Sequence, residues 1–398
     1  MAIVGVGCSI GFLVAQESEG PPGVGDHSIR FGQIACFSGP NAHLGVRYRA
    51  GIIAAFREIN EQGGVHGRTL ELEGFDDGYE PTRAAENAER VVAQNDVVAV
   101  IGGVGTPTAR RIAPILRDAQ IPFIGMFTGA DFLRDIDRFP NTVNLRASYN
   151  DEVVLLVDHM VNGLGKRRFG VIYQDDAFGR SVLAHYRSAL AEFNLPVLAK
   201  STFTRNTHAV HSSLFTLSKA DLDAVLMVGS YSANADVVNL WHSLDHEYVL
   251  ANLSFVGSHD LRESVRGLDE GSANLILVSE VVPDVGDASW EVVQHFLRAI
   301  ARVPADGELR EGIVGLQSSH FNESIALEGY IIGRFVIEVL QRLEGEPTRE
   351  ALLATALQPE PVQIEDWTIK VAPGTNWGSR YVRLTNLSGE KLAEAGLQ

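Results

Sequence analysis

A glycine-rich loop is the stretch of this chain best suited to binding an anion. Residues 97–114 read VVAVIGGVGTPTARRIAP, which predicts a short strand, a turn and a helix opened by Thr106 and Pro107. A P-loop needs a lysine and a hydroxyl residue directly after its glycines, and a dinucleotide fingerprint needs an acidic residue about 20 positions later. No lysine precedes a hydroxyl residue after Gly105, and no acidic residue lies at the position that a dinucleotide fingerprint requires. Both nucleotide-binding interpretations are therefore disfavoured.

The same loop keeps the features of a carboxylate site. Free backbone N–H groups and the positive end of a helix dipole attract a carboxylate, and the Thr106 hydroxyl could add a hydrogen bond. The sequence leaves one alternative open, in which Thr106 is an ordinary N-cap and Pro107 is the first helical residue.

Three consecutive residues, Ser258, His259 and Asp260, carry the side-chain types of a catalytic triad. We predict a strand over LSFVGS, at 253–258, that leads into them. Because neighbouring side chains on a strand point to opposite faces, these groups cannot align as nucleophile, base and orienting acid. We expect no catalytic residue and no enzymatic activity.

Two histidine pairs have a spacing close to one helical turn, His242 with His246 and His208 with His211. Such a pair could provide two zinc ligands on one helix face. No recognisable motif supplies a third ligand, so a solvated polar face is the favoured interpretation. We expect neither a metal nor a cofactor.

The composition is that of a globular chain with an acidic balance. The 398 residues are 45% hydrophobic and 21% charged, which is enough for two domains with a sizeable core each. The formal net charge of −17 is spread along the sequence. Nucleic acids and acidic membrane surfaces would be repelled, and nucleic acid is excluded as a partner.

The N-terminus has the pattern of an export signal. An uncharged apolar run, MAIVGVGCSIGFLVA, is followed by a polar stretch rich in glycine and proline, and it is too short to span a bilayer. We predict a signal-like leader and linker over 1–27, with cleavage near Ala15 and lipidation of Cys8 as the alternative. Cleavage would leave Cys36 as a single buried thiol in a periplasmic or secreted protein.

From Ser28 onward, strand and helix patterns alternate, which is typical of a doubly wound parallel α/β fold. The predicted strands fall into two sets, before and after about Arg146. Two Rossmann-like lobes fit these sets better than one large sheet does. A long apolar helix at 322–345 and further strands between Trp367 and Leu384 follow the second set, so the chain is expected to cross again between the lobes.

Several stretches, in this order, carry a family resemblance. They are IRFGQIACFSGPNAHLG, GGVHGRTLELEGFDDGYEPTRAAENAERVV, VIGGVGTPTARRIAP, IPFIGMFTGADFLR, FGVIYQDDAFGRS and AVLMVGSYSANADVV. The chain resembles the type I periplasmic solute-binding proteins, the leucine/isoleucine/valine-binding family of ABC transporters. The resemblance implies two Rossmann-like lobes with parallel central sheets, joined by a multi-strand hinge.

The resemblance also implies the residues of a cleft between the lobes. Thr106 and Thr128, with Gly129, are expected to hold the ligand carboxylate, and Gly105 and Phe127 are further expected ligand-binding residues. Those expected to form the walls are Leu44, Phe178 and Tyr231. Where the family places an acidic residue for the ligand ammonium, this chain has His259 with Asp260 next to it, and this departure puts a plain branched-chain amino acid in doubt.

The resemblance implies transport rather than catalysis. Lobe 1 is expected to comprise 28–147 and 281–378, and lobe 2 to comprise 148–280 and 379–398. A monomer would close on an amino acid or organic acid and deliver it to a membrane permease. A sensor module for a membrane signalling protein and a Rossmann-type enzyme are the alternatives.

Overall fold

The computed structural model describes residues 20–243, 248–303, 321 and 323–396. Most of the predicted leader, including Cys8 and Ala15, lies outside the described residues, and so does His246. Cys36 is fully buried and forms no disulfide. Within the described ranges, no helix combines the length and the apolarity needed to cross a bilayer.

The first sheet is entirely parallel and comes from the N-terminal third of the chain. Its strands are β1 (Ser28–Ala35), β2 (Thr69–Asp76), β3 (Ala99–Ile101), β4 (Phe123–Ile124) and β5 (Thr142–Val143). The spatial order is β2-β1-β3-β4-β5. Because the order reverses at β1, the carboxyl ends of β1 and β3 border the crevice in which such sheets bind ligands.

The second sheet is parallel at its centre and antiparallel at one edge. The remaining strands of the described chain are β6 (Phe169–Gln174), β7 (Val197–Phe203), β8 (Ala224–Val228), β9 (Val249–Asn252), β10 (Ile276–Glu280), β11 (Val362–Ile364), β12 (Trp367–Ile369), β13 (Val382–Asn386) and β14 (Lys391–Ala395). The sheet order is β14-β13-β10-β9-β8-β6-β7, while β11 and β12 form a separate hairpin. Here the order reverses at β6, so the loops after β6 and β8 border a second crevice.

Helices connect the strands of both sheets. Those described are α1 (Ala42–Glu61), α2 (Pro81–Gln94), α3 (Thr106–Asp118), α4 (Tyr149–Asp158), α5 (Ala177–Ala191), α6 (His211–Leu217), α7 (Tyr231–Ser243), α8 (Ser258–Ser264), α9 (Glu270–Asn274), α10 (Glu291–Ile300), α11 (Ser324–Gln341) and α12 (Arg349–Ala356). A Cβ on Gly329 of α11 would overlap the backbone of Tyr48 in α1. The helix α11, which follows β10 in the sequence, therefore packs directly against α1, and the chain here crosses back from the second half to the first. The fold class is thus confirmed, whereas the residue boundaries of the two lobes remain a prediction.

Two local predictions are wrong. The expected strand at 253–258 is instead a 3-10 turn, Ser254–Val256, because strand pairing of β9 ends at Asn252 and Gly257 adopts φ 73°. Thr106 is also not an N-cap. Gly105 is the cap residue, with φ 97°, and Thr106 is the first residue of α3. Glycine tolerates this left-handed φ without a steric penalty, which leaves the threonine hydroxyl available for other partners.

Candidate functional site

A pair of threonine hydroxyls lies where the loops after β3 and β4 meet. The Oγ1 atoms of Thr106 and Thr128 are 2.7 Å apart, and the Thr128 hydroxyl also donates to the Tyr149 hydroxyl at 3.3 Å. All three side chains are completely buried. A Cβ on Gly129 would lie 2.6 Å from the Tyr149 backbone nitrogen, so this close approach requires glycine. The loops therefore form an uncharged hydroxyl cluster.

Beside the hydroxyls, five rings pack into what we call the aromatic cluster. Its members are Tyr79, Phe127, Tyr149, Phe178 and Phe255, each at most 1% exposed. Phe255 is central, with ring centroids 4.7 Å from Phe178, 5.5 Å from Phe127 and 5.9 Å from Tyr79. Tyr79 and Phe127 follow strands of the first sheet, and Phe178 and Phe255 follow strands of the second. The rings therefore join the two halves of the molecule.

A buried arginine positions the turn that carries Phe255. The Arg146 guanidinium lies 4.5 Å from the Phe127 ring centre and donates to the Ser254 hydroxyl. Glu152, which pairs with Arg146 at 3.8 Å, accepts the Ser254 backbone N–H at 2.8 Å. The Glu328 carboxyl lies 3.6 Å from Arg146, and burial raises its pKa to about 7 although Arg146 acts against the shift.

Charged residues gather at the other end of the predicted cleft. Asp260 pairs with Arg47 at 2.9 Å and with His43 at 3.0 Å, and the Arg47 and Asp260 side chains are only 1% and 3% exposed. The ring of Tyr231 stacks on His43 with centroids 5.5 Å apart, and its hydroxyl donates to the Pro40 carbonyl at 2.7 Å. These contacts bring α1 of the first half against α7 and α8 of the second.

His259 and Asp260 point in different directions because they are consecutive residues of α8. Asp260 turns inward, whereas His259 is about one-third exposed and lies 3.2 Å from Glu263 on its own helix. Burial and the nearby Arg47 lower the pKa of His259, which favours the neutral ring near pH 7. Leu44 is buried, 3.3 Å from where a Cβ on Gly257 would lie.

The rim of the cleft is closed by polar contacts between loops of the two sheets. Arg205, after β7, pairs with Glu80 at 2.8 Å and with Asp176 at 3.2 Å. Asn206 donates to Glu80 at 2.6 Å and to the Gly78 carbonyl at 3.1 Å. The two halves are thus held together at the cleft mouth.

The arrangement offers no triad or metal centre in the part of the chain that the structure describes. His259 faces Glu263 rather than Ser258, and the three triad-like residues start a helix rather than follow a strand. His208 pairs with Asp236 at 2.6 Å. No group of three histidine, cysteine or acidic side chains is gathered for a metal among these residues.

Sequence reasoning missed four residues that pack at the candidate site. Arg47, Tyr79, Arg146 and Phe255 were not singled out, although one signal was available for Arg47. It is a charged side chain between the apolar residues Val46 and Tyr48, and a charged residue on a buried helix face needs a partner of opposite charge. Nothing in the sequence indicated that Phe255 would leave the strand pattern.

Comparison with known proteins places this geometry in a family. The family model described as periplasmic binding protein matches residues 28–366, which include both sheets' parallel strands and every predicted cleft residue. The chain belongs to the periplasmic binding protein family. The predicted resemblance is thereby confirmed for family and fold.

Two curated relatives carry the name Leu/Ile/Val-binding protein homolog, both from Brucella abortus (strain 2308). Homolog 8 is 28% identical over 381 residues, covering 93% of this chain and 88% of that protein. Homolog 7 is 25% identical over 231 residues, and there the chain spans only 57% of the relative's length.

Solved structures share the fold over nearly the whole chain. A possible leucine/isoleucine/valine-binding protein from Rhodopirellula baltica SH 1 is 29% identical, with a TM-score of 0.79 over 92% of this chain and 96% of that chain. An ABC transporter solute-binding protein from R. palustris, in complex with benzoate, is 16% identical, with a TM-score of 0.76 over 93% and 96%. The second likeness shows the fold alone.

Proposed function

We propose that this protein is the extracytoplasmic substrate-binding protein of an ABC transporter and that it closes its two lobes on a small carboxylate-bearing solute. The observation that carries the proposal is the hydroxyl cluster of Thr106, Thr128 and Tyr149, in which Thr106 is the first residue of α3. Hydroxyls and helix N-terminal amides bind a carboxylate without a charged partner. The leucine/isoleucine/valine-binding names of the relatives add support for a solute with a carboxylate.

The remaining predicted cleft residues have defined parts in this proposal. Gly105, Thr106, Phe127, Thr128 and Gly129 form the carboxylate end, and Phe178 with Tyr231 and Leu44 forms the walls. Asp260, rather than His259, is the residue that turns inward at the far end. No bond is made or broken, and closure presents a new surface to a membrane permease.

Closure is tested by small-angle X-ray scattering of the purified protein, together with a thermal-shift screen over amino acids, organic acids and amides. A solute at a hundred times its Kd stabilises the protein by about 2.7 kcal/mol, which is visible as a higher melting temperature. We expect the same solute to reduce the radius of gyration. An unchanged radius at saturation, with a solute that does raise the melting temperature, would contradict binding by lobe closure.

A further inference from the structure

Three aromatic side chains line a surface pocket that contains none of the predicted cleft residues. Trp290 directly precedes α10, Trp367 lies on β12 and Tyr381 directly precedes β13. Their ring centres are 5.1, 5.8 and 6.4 Å apart, and the ring planes are inclined to one another by 61°, 71° and 85°. Steeply inclined rings around one cavity form the kind of aromatic cage that binds alkylated ammonium groups.

The pocket is small and has one partly exposed wall. Trp367 and Tyr381 are only 6% and 3% exposed, whereas Trp290 is half-buried. The cavity volume is about 70 Å³. This is several times the roughly 10–15 Å³ that one water needs and well below the roughly 300–1,000 Å³ of a site for a drug-sized ligand. The pocket therefore suits a head group of a few heavy atoms.

A carboxylate gives the pocket a negative charge. Asp366 lines it, is exposed and forms no ion pair in the part of the chain that the structure describes. Its two oxygens accept backbone N–H groups at the start of α10, at 2.8 and 2.9 Å. The nearby Glu394 is already engaged, because it accepts the Tyr381 hydroxyl at 2.5 Å and pairs with Lys391 at 2.6 Å. The charge of Asp366 disfavours an anion and favours a cation beside the rings.

The indole of Trp367 adds a hydrogen-bond donor. Its Nε1 is buried and has no hydrogen-bond partner in the described structure. Leaving a buried donor without an acceptor is costly, and such groups in native proteins call for an explanation. An oxygen atom on the bound molecule would provide the acceptor.

We propose that this pocket binds a small quaternary ammonium compound of the choline type, with its methylated nitrogen against the three rings and its oxygen near the Trp367 indole. A primary ammonium is less suited, because it is strongly hydrated and aromatic faces accept no hydrogen bond of comparable strength from it. The pocket is separate from the cleft, so the inference does not depend on the proposed function.

Three compounds test the inference on the wild-type protein by titration calorimetry. Choline carries the charge, the methyl groups and the hydroxyl. In 3,3-dimethylbutan-1-ol a carbon replaces the nitrogen, which removes only the charge, and ethanolamine keeps the charge but has no methyl groups. We expect choline to bind at least tenfold more tightly than either of the other two compounds.

A variant pair links that preference to the pocket. Trp290→Leu removes the partly exposed wall, so we expect choline to bind at least tenfold more weakly. The matched control is Trp377→Leu, which removes a half-buried tryptophan outside the pocket and should change the affinity less than twofold. The comparison of the three compounds on the wild-type protein decides the matter even if Trp290→Leu does not fold.

The same head group could come from a free solute or from a lipid, and vesicles distinguish these sources. Co-sedimentation with phosphatidylcholine vesicles, but not with phosphatidylglycerol vesicles, and its displacement by choline would assign a lipid head group. Binding of choline without co-sedimentation would assign a free solute.

Three results would overturn the inference. They are the absence of saturable choline binding up to about 10 mM, an affinity for choline no higher than for either comparison compound, and unchanged binding by a folded Trp290→Leu variant. None of them bears on the proposed function, because choline has no carboxylate.

Discussion

The two ends of the predicted cleft differ in how their buried polar side chains are paired. At one end, Thr106 and Thr128 are uncharged and hydrogen-bond mainly to each other and to Tyr149. At the other end, Asp260 and Arg47 are charged but neutralise each other. A hydroxyl pair can exchange its mutual bond for a ligand bond at little cost, whereas a buried ion pair cannot be opened without leaving two charges desolvated. On this physical ground we propose that the hydroxyl end recognises the ligand.

The largest effect is expected from breaking the charged end. Arg47→Met leaves Asp260 buried without its guanidinium, and the loss of one partner of such a pair costs about 3–5 kcal/mol. We expect the free energy of unfolding, measured with urea, to fall by that amount. Adding Asp260→Leu to the same protein should recover much of the loss. A decrease below about 1 kcal/mol for the single variant would show that the pair is not a structural unit.

Removal of one hydroxyl tests the other end. Thr106→Val should weaken binding of the carboxylate solute that the thermal-shift screen identifies by roughly 1.5–3 kcal/mol, because a charge-assisted hydrogen bond to the carboxylate is lost. Thr108→Val is the matched control, since its hydroxyl donates to the Val104 and Gly105 carbonyls instead of facing Thr128. Titration calorimetry on both variants measures the two losses of affinity. Equal losses would show that the Thr106 hydroxyl does not bind the ligand carboxylate.

A further buried carboxyl, Asp77, sharpens the comparison because it forms no ion pair in the described structure. Asp77 accepts the Tyr79 backbone N–H at 2.7 Å, and burial raises its pKa from 3.8 to about 7. The unfolded chain loses this proton near pH 4 and the folded protein near pH 7. The folded state therefore binds more protons between these values, and stability falls as the pH rises from about 4 to about 7.

Asp77→Asn should remove that pH dependence. At pH 8 we expect the variant to be more stable than the wild type by on the order of 1–2 kcal/mol, and at pH 4 the advantage should vanish. Thermal unfolding of both proteins across pH 4–8 measures this. A constant difference over the whole range would contradict a buried charge at Asp77.

The smallest effect is expected at the exposed rim. Arg205→Ala removes the bridge to Glu80 and Asp176, and partly exposed pairs contribute about 0.2–1 kcal/mol each. The scattering radius without added solute should rise slightly as the open form becomes more populated. Arg180→Ala, which breaks a local pair with Asp175, is the control and should leave the radius unchanged.

Much of the candidate site can be proposed from sequence because its residues follow strands. Thr106, Thr128, Phe178 and Tyr231 each come shortly after an apolar strand, and parallel strands bring such positions to one edge of the sheet. Local patterns also predicted β1 and α11 well, since both have continuous buried faces. The stretch at 253–258 was mistaken for a strand because its apolar residues fit either a strand or a buried turn.

The sequence by itself determined the alternation of strands and helices, the two sets of strands and the loops that carry the hydroxyls, because these follow from local periodicity and turn residues. Only the tertiary structure decided that Asp260 pairs with Arg47, more than 200 positions away, and that Phe255 packs against rings from both halves. Such pairings depend on which helices and turns are brought face to face when the two sheets close. No pattern within a single segment specifies that choice.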